Sequence, residues 1–216
     1  MSYPIITSTI QACMLSATSN IIAQFITVYK QRSNEVFILN LEPIFDFKPI
    51  FQFVLYTIIS TPPNMMWQYF LESSFPSSYT TPSKAAIDAA SKSNEAELDR
   101  EEKTHEITEE RLSIRNLVIK VLLDQTISAS VNTLLFSLAF AGFNGLGAAE
   151  AWSEAKDQFW GLMVAGWKLW PLVSVVSFSM VKSVEGRNFL GSVAGLVWGI
   201  YLSLTMGGSQ GKGKEL

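Results

Sequence analysis

Few side chains in this 216-residue sequence are equipped for chemistry, and those few are unevenly placed. One cysteine, Cys13, excludes an internal disulfide, and one histidine, His105, lies in the most charged stretch. Together they exclude Cys/His zinc sites and argue against a Cys–His nucleophile pair. The acidic pairs Glu101/Glu102 and Glu109/Glu110 are adjacent in sequence, not opposed across a cleft, and suit a solvated face. No phosphate loop, metal-ligand spacing or nucleophile–base set occurs, so neither an enzyme nor a cofactor is expected. What remains is a set of polar residues embedded in apolar sequence: Asn20, Gln24, Asp124, Gln125 and Asn132. Polar groups in such surroundings either bond across to a neighbouring helix or line a wet path.

The elements that must position them are long and apolar. Met1 to Tyr29, Pro49 to Leu71, Gln125 to Ala149 and Asn188 to Gly211 contain no Lys, Arg, Asp or Glu. Roughly 20 apolar residues in a helix cross a hydrocarbon core about 30 Å thick. A fifth stretch, Gln158 to Val181, is interrupted only by Lys168. The reading is all-α: an integral membrane bundle of four main transmembrane helices, an amphipathic Trp-rich helix and a long charged loop. Residues 1–216 form a single membrane domain, with 73–115 an insertion that is solvated or partly disordered. The net charge of −3 says little about partners, but the lack of a basic, aromatic-interleaved stripe argues against nucleic acid. The expected partners are the lipid bilayer and, through helix contacts, a second copy or other membrane proteins. With no positive residue before Lys30, the first segment fits neither a cleaved signal nor an Arg-rich transit peptide, and is expected to insert.

Within the spans the spacing is informative. Ser8, Ala12, Ser16, Asn20 and Gln24 recur every four residues along one helical face, which fits helix packing first and pore lining second. Pro62–Pro63 falls in the middle of the second span, where proline removes a backbone donor. Lys120 and Asp124, four apart, are expected to pair near the membrane boundary, with Gln125 and Asn132 continuing the polar line inward. Trp152, Ala155, Phe159, Met163 and Trp167 follow a helical period opposite Glu154, Lys156 and Asp157. That pattern predicts an amphipathic helix on the membrane surface, before a Trp160/Trp167/Trp170 belt and a fresh start at Pro171. Gly191, Gly195, Gly199 and Ser203 repeat every four residues, the spacing of a helix-contact groove.

Several of these segments, in order, resemble the family of Mpv-seventeen and the twenty-two-kilodalton peroxisomal membrane protein. The resemblance rests on Trp167, Trp170 and Pro171, then Phe178, Val181 and Arg187, then Trp198, Tyr201, Leu202 and Ser203. Upstream it includes Asp124–Gln125, Asn144–Gly145–Leu146, and the Pro62…Trp67…Leu71 pattern of the second span. The chain departs from the family pattern at Asn20, Ser130, Ser174, Ser177 and Lys182, and its loop over 76–112 is long. The resemblance implies a helical protein of the peroxisomal membrane or the mitochondrial inner membrane, generally of four spans and without established enzymatic activity. It implies a small-solute channel or channel component in organelle homeostasis, or alternatively a non-conducting scaffold or tether for organelle sorting.

Overall fold

The computed structural model describes residues 2–34, 46–92 and 108–210. It is predominantly helical. The elements are α1 (Ser2–Asn34), α2 (Phe47–Ser74), β1 (Ser78–Pro82), α3 (Lys84–Ser91), β2 (Thr108–Leu112), α4 (Ile114–Phe143), α5 (Ala148–Gly166), α6 (Trp170–Met180) and α7 (Val184–Gln210). Helix α1 packs along both α2 and α7, and α4 forms a hairpin with α5. Helix α6 lies against the first turns of α4 and against α7, closing the ring around a central space.

Local chemistry explains where the elements begin and end. Asp46 caps α2 by accepting from the Lys48 N–H at 2.9 Å, and Ser83 caps α3 by accepting from Ala86 at 3.0 Å. Helix α4 ends in a Schellman turn: Leu146 N–H donates to the Ala141 carbonyl at 3.1 Å and Gly145 N–H to Gly142 at 3.0 Å. Gly145 takes φ of +85° there, a conformation that disfavours side chains and accounts for glycine at this position. Pro171 occupies the first turn of α6, where its missing N–H is not needed. Helix α2 runs unbroken through Pro62 and Pro63.

By length and composition, two described helices are apolar enough to cross a membrane, Tyr3–Tyr29 and Ile114–Phe143. A third span results if α5 and α6, bent by 55° at the break between them, act as one. This is fewer than the four main spans expected. Helix α2 falls short because Gln52, Ser60, Thr61, Asn64 and Gln68 dilute its apolar content, and most of these face the interior. The helix expected at the membrane surface after α4 packs one face on the bundle. Ala151, Ala155, Met163 and Gly166 are buried, and α5 lies antiparallel along the C-terminal half of α4. Small residues at a four-residue spacing let those two backbones approach.

The ends of the long charged connection are ordered as a hairpin. Ser78–Pro82 pairs antiparallel with Thr108–Leu112, and Lys182 bonds Glu110 at 2.8 Å, tying the hairpin to the α6–α7 corner. His105 and Glu101/Glu102 lie outside the described residues.

Candidate functional site: a polar cavity closed by an ion cluster

A cavity of about 370 Å³ lies between α1, α2, α4, α5, α6 and α7. Its α4 wall extends from Asp124 to Phe136, about 18 Å at 1.5 Å per residue, more than half of a hydrocarbon core. Toward the C-terminal end of α4 an aromatic cluster bounds it. Phe53 and Phe140 pack edge-on at 4.7 Å between centroids, and Tyr56 meets Phe136 at 5.4 Å.

Its polar wall is a connected network. Ser174 donates to Asp124 Oδ2 at 2.6 Å and accepts from Gln125 Nε2 at 2.9 Å. Gln125 also donates to Asp124 at 3.3 Å, and Gln68 reaches the other carboxylate oxygen at 3.5 Å. About two turns further along α4, Asn132 donates to Asn64 Oδ1 at 2.8 Å and to Ser128 Oγ at 3.3 Å. The segment Asp124–Ser128 is a π-helical turn. Widening the ladder there turns the Gln125 carbonyl outward, where it accepts from the Trp167 indole at 3.0 Å. That bond gives the tryptophan at 167 a specific task, fastening the α5–α6 break to α4.

The expected polar path therefore divides. Asp124, Gln125 and Asn132 line the cavity, whereas Asn20 and Gln24 are not among its lining residues. Gln24 donates to Asn20 Oδ1 at 3.1 Å and grips the Asp46 backbone through both amide atoms, at 2.7 and 2.9 Å. The pair thus anchors the start of α2 to α1. The glycine repeat divides as well. A Cβ on Gly199 would meet Ser19 Oγ at 2.8 Å, a close crossing of α7 over α1. At Gly191 and Gly195, expected to carry a neighbouring helix, a Cβ would meet nothing within 4 Å, because both front the cavity. The Ser203 side chain lies outside the described residues.

The expected Lys120–Asp124 pair does not form. Helical side chains point back toward the N-terminus, so the long Lys120 chain runs away from Asp124 toward the membrane boundary. There its ammonium bonds Glu72 Oε2 at 2.9 Å and the Ser77 hydroxyl. Arg187 joins the same carboxylate at 2.5 Å and donates from its other nitrogens to Val181 O at 2.8 Å and Ser77 Oγ at 3.1 Å. Both cations lie within cation–π reach of Phe178, at 5.0 and 5.5 Å. Lys120 is fully buried and Arg187 nearly so. Glu72 lies just beyond the apolar segment 50–71. Burial alone would raise its carboxyl, but the Ser77 N–H, Lys120 and Arg187 outweigh that and hold it at about 2. Sequence reasoning missed Glu72 and Ser77. The available signal was that two cations at the ends of apolar segments require an acid at the same depth, and Glu72 directly follows the second span.

The other motif residues support these features. Trp170 packs edge-on against Trp198 at 6.4 Å, and Trp198 stacks on Tyr201 at 5.3 Å, joining α6 to α7. The Trp67 indole N–H faces Asp124 without closing a hydrogen bond of good geometry. Among the described residues there is no group of three or more His, Cys, Asp or Glu that could hold a metal.

The model of the Mpv17/PMP22 family matches residues 141–203, the segment holding Trp167, Pro171, Phe178, Arg187 and the glycine repeat. The chain is 27% identical to protein sym1 of Schizosaccharomyces pombe over 207 residues, covering 93% of this chain and 84% of that one. The chain is similar to the Mpv17/PMP22 family. It is also 27% identical to protein SYM1 of Saccharomyces cerevisiae over 88 residues, 41% of this chain and 44% of the relative. It is 32% identical to PXMP2/4 family protein 3 of Dictyostelium discoideum over 85 residues, 39% and 45% of the two chains. These two alignments span less than half the length of the relatives they match. No solved structure matches. Similar to that family and with apolar helices of membrane-crossing length, the chain is an organelle membrane protein.

Proposed function

We propose that this chain provides a path for small solutes across its organelle membrane, peroxisomal or mitochondrial inner, as a channel or channel component. In this reading α1, α2, α4 and α7 are the four main spans and α5–α6 a broken fifth element. The observation that carries it is the cavity among the helices, with a polar network along an α4 wall about 18 Å long, more than half the thickness of a hydrocarbon core. Polar lining at membrane depth is costly unless it serves water or a solute. Gly191 and Gly195 widen the cavity where larger side chains would fill it. The aromatic cluster of Phe53, Tyr56, Phe136 and Phe140 and the Glu72–Lys120–Arg187 cluster bound it toward opposite ends of α4, as constrictions bound a gated path.

Reconstitution of the purified chain in liposomes, with conductance and solute-efflux recording, tests this. Folded protein with neither current nor efflux overturns it. Gly195→Leu should reduce flux, because the added side chain enters the cavity.

The tether reading is supported by the β1–β2 hairpin and α3, which stand outside the spans with mostly exposed side chains. Its test is deletion of residues 84–107, which keeps Ser77 and the strands in place. A tether loses partner recruitment, whereas a channel keeps its flux.

A further inference from the structure

Asp124 is the carboxylate of the cavity wall, and its surroundings do not neutralise it. Ser174, Gln125 and Gln68 meet it with neutral donors, and among the described residues no cation is within salt-bridge distance. The cavity's own cation, Arg187, has donors from all three nitrogens committed to Glu72, Ser77 and Val181.

We infer that the cavity is a binding site for a small organic primary ammonium, whose charge is matched by Asp124 and whose N–H groups donate to that carboxylate. A bare alkali ion would satisfy the charge but occupy only a small part of a 370 Å³ cavity. Pockets of about 300–1,000 Å³ hold organic molecules, oriented by a few polar groups on largely apolar walls. Phe53, Tyr56 and Trp170 provide such walls and add faces that attract cations.

The inference rests on reading the cavity as a solute site, but its test needs no transport. The purified full chain in detergent is melted against increasing n-butylammonium chloride, with 1-butanol, tetramethylammonium chloride and potassium chloride as matched probes. Butylammonium should raise the melting temperature saturably, and the other three should not. Asp124→Asn should weaken the apparent affinity at least tenfold with helicity unchanged. Gly195→Leu, which keeps the carboxylate but fills the cavity, should abolish binding and covers the case in which Asp124→Asn fails to fold. No saturable shift, equal shifts with butanol, tetramethylammonium or potassium, or full affinity in a folded variant of either kind overturns the site. A chain that binds butylammonium but never conducts overturns only the channel reading. One that conducts without saturable binding overturns only the ammonium site.

Discussion

Replacing Glu72 by Gln keeps the shape of the side chain and removes the carboxylate that Lys120 and Arg187 share. Both cation side chains are almost wholly buried, at 0% and 1% exposure, so neither recovers its lost partner from water. Removing one side of a buried pair costs about 3–5 kcal/mol, because a charge is left uncompensated. Glu72 itself keeps 30% of its surface exposed, and solvent screening brings the expected loss to the lower end, about 3 kcal/mol. For a chain of this length each kcal/mol moves the melting temperature by about 2–4 °C, so Glu72→Gln should melt about 6–12 °C lower. Tryptophan fluorescence of the purified protein in detergent reads this directly. The double variant Glu72→Gln/Lys120→Met should regain part of the loss, since one buried cation leaves together with its partner. A single variant within 2 °C of the parent, or a double variant showing simple additivity, would refute the shared-carboxylate reasoning.

The pH dependence follows from the same group. The folded Glu72 carboxyl is held at about 2, below its ordinary value of 4.5. Its stabilisation is therefore complete above the ordinary value and declines as pH falls from 4.5 toward 2, so the parent should lose thermal stability across that window more steeply than Glu72→Gln. Trp167→Phe removes the donor to the Gln125 carbonyl at the π-helical turn and should cost about 0.5–1.5 kcal/mol in thermal unfolding, the net worth of one such hydrogen bond. Gly199→Ala should destabilise by about 1–3 kcal/mol because its Cβ meets Ser19 Oγ, whereas Ser19→Ala/Gly199→Ala should recover stability and Gly195→Ala should be near neutral. Gln24→Leu should lower the melting temperature by loosening α2 from α1 while leaving solute flux unchanged, and a loss of flux at equal protein would refute its anchoring role. Lys182→Ala should shift melting by less than about 2 °C, since its partnership with Glu110 is solvent-exposed.

Some of this was legible in the order of the residues, and the reasons are local. Charge-free runs of more than 20 residues mark a membrane chain because a bilayer's thickness converts directly into helix length, though among the described helices only Tyr3–Tyr29 and Ile114–Phe143 are by themselves apolar enough to cross. Asn144–Gly145–Leu146 marks a helix end, because its φ of +85° is a local backbone property. Asp124, Gln125 and Asn132 stand out as polar residues in apolar sequence, and they reach the cavity because α4 presents one face inward.

Pairing was not legible. At four residues' spacing Lys120 and Asp124 satisfy the helix rule for an ion pair, yet the rule gives distance along one helix and not the direction of a long side chain. Lys120 turns to Glu72, 48 residues away, and Arg187 reaches the same oxygen across 115. The glycine repeat shows the same limit. Its period places Gly191, Gly195 and Gly199 on one face, but the crossing of α1 over α7 brings a neighbour to Gly199 alone and leaves the other two facing open space. The sequence by itself thus determined a helical membrane chain with polar groups in its spans, since composition and period are properties of single segments. Only the tertiary structure decided which polar groups share a cavity, which anchor helices and which carboxylate neutralises the buried cations. Those outcomes depend on distances between segments far apart in the chain, which no local spacing encodes.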